Sequence, residues 1–93
     1  MPYELVIENP SINGITGHHT IQVHICELDE DGKLIDKGIM EVYGIDSLAL
    51  TRRFDGSLDK WLGWVGQEML YKHKRRRAAQ DQLLTMQGRR IKL

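Results

Sequence analysis

Residues 57–86, SLDKWLGWVGQEMLYKHKRRRAAQDQLLTM, limit what this chain can fold into more than any other stretch. Ser57 can cap a helix, Asp59 falls in its first turn, and Gly88 lies just beyond Met86. Residues 58–86 as one helix would run about 43 Å at 1.5 Å per residue. The whole chain has 93 residues, and a compact globule of that size is only on the order of 32 Å across. About two turns must therefore overhang the globule or break away from it. No glycine or proline lies between Gly66 and Gly88 to supply a bend.

At 100° per residue, Leu58, Trp61, Leu62, Val65 and Met69 fall within about 60° of one direction, a stripe fit to cover a sheet. Past Met69 that direction is taken by Lys72, His73 and Arg76, while Lys74, Arg75 and Arg77 point elsewhere. The run KHKRRR at 72–77 is thus basic on every side. Charged side chains are not buried without partners, so the helix is expected to leave the core near Leu70 or Tyr71. Beyond the run the helix turns apolar again at Ala79, Leu83, Leu84 and Met86. With no bend to fold these residues back, a second chain is the expected cover. The helix end, about 72–86, is expected to project. Gly63 and Gly66 each cost roughly 1 kcal/mol against alanine inside a helix, and either the close approach of another backbone or a locally weak helix would explain them.

The clearest local pattern is TIQVHICELDEDGKLIDKGIMEVYG, residues 20–44. Ile21, Val23 and Ile25 alternate with Thr20, Gln22 and His24, as in a half-buried strand. The DEDG turn then leads into a second strand. A four-residue loop at 29–32 would pair Leu28 with Lys33. That register puts Ile21, Val23, Ile25, Leu34, Met40 and Val42 on the core face. Thr20, Gln22, His24, Lys37, Ile39, Glu41 and Tyr43 go to the other face, and a one-residue slip would scramble the separation.

The flanking segments are shorter. YELVIE, residues 3–8, reads as a first strand, and NPSINGITGHH supplies turn formers that predict a loop over residues 9 to about 18. In GIDSLALTRRFDG, Asp46 is a candidate cap for a short helix through Phe54, ended by Gly56. RRIKL at 89–93 could add a short edge strand.

Composition bounds the class. With 41% hydrophobic and 28% charged residues the chain reads as an ordinary globular domain. No apolar run approaches the ~20 residues that span a bilayer, and MPYELVIENP lacks the basic and apolar regions of a secretory signal. The single cysteine, Cys26, excludes an internal disulfide, so a reducing cytoplasm is the expected compartment. The net charge is zero but divided. Residues 1–50 hold nine acids and two bases, and residues 51–93 hold four acids and eleven bases. Such halves can screen each other within one fold, pair between two copies, or leave the basic half for an anionic partner.

No motif carries chemistry. His24 and Cys26 have a chelating spacing but lack the further ligands of a structural zinc site. The DEDGK turn starts like a calcium loop, yet Lys33 occupies a ligand position. Cys26 has no histidine base in reach, and no glycine-rich phosphate loop follows a strand. No catalytic residue, cofactor site or metal ligand is assigned, and the chain is expected not to be an enzyme.

The sequence thus predicts one α+β domain over residues 1–93. Its small antiparallel sheet is built from the hairpin 20–43 and the N-terminal strand, packed against one long C-terminal helix. The expected function is protein interaction or self-association through that helix, with Leu83, Leu84 and Met86 as candidate oligomer contacts. The alternative is nucleic-acid binding through 72–77. For either partner the candidate contacts are Lys72, Lys74, Arg75, Arg76, Arg77, Trp64 and Tyr71. Aromatics interleaved with arginine can stack on bases or grip a protein, and no helix-turn-helix, zinc-finger or RNP-like sequence accompanies them.

Overall fold

A computed structural model describes residues 3–93 and shows the α+β architecture. Four strands, β1 (Tyr3–Ile12), β2 (His19–Leu28), β3 (Leu34–Lys37) and β4 (Glu41–Ile45), are followed by α1 (Ser47–Phe54) and α2 (Leu58–Thr85). The strands form one antiparallel sheet around β2. β1 lines one edge of β2, while β4 and β3 follow one another along its other edge.

The first strand is longer than expected. Instead of ending in a loop at residue 9, β1 continues to Ile12 across a bulge. Glu8 pairs with Gln22 and Ser11 with Thr20, so Asn9 and Pro10 together oppose Ile21. A bulge is where a strand can carry proline, which has no N–H for the ladder. Asn9, at φ 49°, donates its side-chain amide to Gln22 Oε1 at 2.8 Å.

The hairpin forms, but in another register. Asp29 closes the turn, its Oδ1 accepting from the backbone N–H groups of Asp31 and Lys33 at 2.9 and 2.8 Å. Leu28 therefore pairs with Leu34 rather than Lys33, and a further shift lets Glu27 pair with Asp36. The returning strand then breaks over residues 38–40 and resumes with Val23 opposite Glu41 and Ile21 opposite Tyr43. Each irregularity moves the side-chain alternation. Leu34, Met40 and Val42, expected in the core, are exposed. Glu41 and Tyr43 take the face shared with Ile21 and Val23, towards α2. Gly38 holds the break in place: its N–H bonds Ile25 O at 2.7 Å, and a Cβ there would lie 3.0 Å from that oxygen and 3.2 Å from His73 Nδ1.

Both helices start where their caps predict. Asp46 accepts from Ala49 N at 2.7 Å, and Ser57 accepts from Lys60 N at 3.2 Å. α1 ends through Asp55 and Gly56, both at positive φ. The core unites Ile21, Val23, Ile25, Ile45, Leu50, Trp61, Val65 and Met69. The predicted cluster of Val23, Ile25, Trp61, Val65 and Met69 is buried together, whereas Leu58 at the stripe's start is 44% exposed. Gly63 and Gly66 are not explained by a neighbouring backbone. A Cβ on Gly63 would meet nothing within 4 Å, and one on Gly66 only Leu5 Cδ2 at 3.7 Å. RRIKL forms no strand: residues 89–93 follow the end of α2 and are exposed.

α2 outruns the sheet. The radius of gyration is 17.6 Å and the longest extent 59 Å, against about 12 Å for the radius of a compact chain this long. Every residue after Arg77 is exposed.

Candidate functional site

Charged side chains of both signs gather where the basic run meets the sheet. Glu27 on β2 and Asp36 on β3 are cross-strand partners, and α2 lays His73, Arg76 and Arg77 over them. Arg76 Nη2 lies 3.3 Å from Asp36 Oδ2. Arg77 Nη1 lies 3.5 Å from Glu27 Oε2 and 3.5 Å from Asp36 Oδ2. One turn earlier, Lys72 Nζ donates to Glu41 Oε2 at 2.8 Å and to the Tyr43 hydroxyl at 3.0 Å. The hydrogen bond to Glu41, and then that to Tyr43, hold the Lys72 ammonium well above its ordinary pKa.

These contacts correct the expected course of the helix. It does not leave the sheet near Leu70 or Tyr71, because the acids of the first half supply the partners that its charges need. His73 continues the stripe of Trp61, Val65 and Met69 and is 4% exposed. The helix stays docked through Arg77, and only its last two turns, residues 78–85, project.

The cluster has its own rim. The Tyr3 hydroxyl donates to Glu27 Oε1 at 3.4 Å, and Lys74 Nζ sits 5.7 Å from the Tyr3 ring centre. Burial, and then the Glu27 carboxylate, push the Tyr3 phenol above its ordinary pKa. A concavity of about 240 Å³ opens beside the cluster, lined by Gly38, Ile39, Met69, Lys72, His73 and Arg76 among others.

The candidate contacts of the sequence reading divide into two sets. Lys72, Arg76 and Arg77 turn to the protein's own acids. Lys74, Arg75 and Tyr71 face outwards, with the Arg75 guanidinium 5.6 Å from the Tyr71 ring centre. Trp64, 37% exposed, is set among other rings. Phe54 and Tyr43 flank it with centroids 6.1 and 6.2 Å away, and Arg53 lies 5.1 Å from its ring. Leu83, Leu84 and Met86 stand on the projecting end of α2, all exposed. Sequence reading missed Glu27, Asp36 and His73 as a group. The signal available to it was a pair of acids on facing strands, which the register it assumed set diagonally, Glu27 opposite Leu34 and Asp36 opposite Ile25, rather than as direct partners.

No family model, curated protein or solved structure matches this chain. No helix among the described residues is long and apolar enough to cross a membrane.

Proposed function

We propose that this protein is a non-catalytic association module that binds a second copy of itself through the projecting end of α2. One observation carries the reading: beyond Arg77 the helix has no sheet beneath it, yet it keeps presenting apolar side chains. At 100° per residue, Ala79, Leu83 and Met86 lie within about 40° of the direction of Trp61, so they extend the buried stripe past the sheet. Leu83 and Leu84 are 67% and 69% exposed. A helix that ends in an uncovered apolar stripe is stabilised by a partner with a matching one, and a second copy has it. The unpaired thiol of Cys26 suits a reducing, cytoplasmic compartment.

Light scattering at micromolar concentration tests this, with at least a dimer mass expected. Leu83→Asp with Leu84→Asp should shift the mass to monomer while the far-ultraviolet circular dichroism keeps its helical signal. A wild-type chain that stays monomeric when concentrated would end the proposal.

A second reading, nucleic-acid binding, rests on Lys74, Arg75 and Tyr71, which face outwards. It is weaker than the sequence suggests, because Lys72, Arg76 and Arg77 already have acidic partners.

A further inference from the structure

We propose that Glu27, Asp36 and His73 form a site for a divalent first-row metal ion of the zinc class, a place held by the Arg77 guanidinium when no metal is bound. The three side chains come from β2, β3 and α2, and each offers one ligand atom within 4.8 Å of the other two. One imidazole nitrogen and two carboxylate oxygens make a three-ligand set of the kind zinc takes with water completing its shell.

A second observation, independent of the clustering of acids, points to a ligand. Two buried polar atoms of this cluster lack a hydrogen-bond partner: Glu27 Oε2, and His73 Nε2, which lies 3.9 Å from Asp36 Oδ2. Their side chains are 6% and 2% exposed. Buried polar atoms are rarely left unsatisfied, and the Arg77 guanidinium satisfies Glu27 Oε2 poorly. Arg77 Nη1 stands 3.5 Å from each carboxylate, where a charge-assisted bond closes to about 2.7–2.9 Å. A metal ion would be held at about 2.0–2.2 Å by the same oxygens.

The arginines can yield. Arg77 and Arg76 are partly exposed, on stems that reach solvent, and the concavity beside His73 offers an approach. Arg76 Nη2 lies 3.1 Å from His73 Nδ1, so Nδ1 accepts and Nε2 carries the proton. On metal binding that proton moves to Nδ1, Nε2 turns its lone pair to the ion, and Arg76 swings out.

The test is a zinc titration of the purified chain against a chromophoric chelator at neutral pH. One zinc per chain is expected. Asp36→Asn and His73→Gln should each weaken binding by more than about tenfold. Arg77→Met should tighten it, because the competing cation is gone, and a purely structural role for the cluster would not produce that change. His18→Gln with His19→Gln, at the start of β2 and far along that strand from Glu27, should leave affinity unchanged. Should His73→Gln fail to fold by circular dichroism, Asp36→Asn and Arg77→Met, at more exposed positions, still decide. No zinc uptake by the wild type, loss of uptake in the His18/His19 variant, or weaker binding by Arg77→Met would each overturn the proposal.

Discussion

The guanidinium of Arg77 lies 3.5 Å from the carboxylate of Glu27, which belongs to a residue only 5% exposed. The pair joins the basic second half of the chain to its acidic first half. It is also why an arginine run can stay on the sheet: the acid beneath it is buried and needs a counter-charge as much as the arginine does. A double-mutant cycle over Glu27→Gln and Arg77→Met, read by urea unfolding, should give a coupling on the order of 1–3 kcal/mol. The same cycle on the more exposed Lys72 and Glu41 should give about 1 kcal/mol or less. Equal couplings would mean that burial of Glu27 does not set the strength of the contact.

Val65 is fully buried between α2 and the sheet. Val65→Ala should lower stability by about 1–3 kcal/mol, through lost apolar burial and a residual cavity. An unchanged denaturation midpoint would show that α2 is not seated on this stripe.

Gly63 lies in the interior of α2 with open space where a Cβ would be. Gly63→Ala should therefore stabilise the protein by about 1 kcal/mol and raise the thermal midpoint. A lower midpoint, with a shift towards monomer in light scattering, would place another backbone against this side of the helix.

For nucleic acid, the structure leaves Lys74 and Arg75 as the outward charges of the run. A gel-shift series on a mixed-sequence duplex at two salt concentrations should show no shift at physiological salt. If a complex forms at low salt, its log–log slope should be near −2, about −0.9 for each phosphate neutralised. A slope near −4 or steeper would mean that Lys72, Arg76 and Arg77 leave their acids to bind the strand.

Sequence alone determined the elements whose causes are local. Asp46 and Ser57 mark the helix starts by their own side chains, Trp61, Val65 and Met69 mark the buried face by their spacing, and the length of 57–86 requires a helix longer than the sheet can cover. The pairing of strands was not local in this way. Its register turned on a bulge at Asn9–Pro10, the closing of the turn by Asp29, and a break beside Gly38. Each shifts the pairing by a residue or so, and a period of two turns such a shift into a change of face. That decided that Val42 would face solvent and that Glu41 would face Lys72. It also decided the fate of KHKRRR. The helical wheel put Lys72, His73 and Arg76 on the side of α2 that meets the sheet, but the acids that receive them come from strands remote in sequence. Whether a charge on a buried stripe is expelled or held depends on what stands opposite, and only the tertiary structure brings Glu27, Asp36 and Glu41 there.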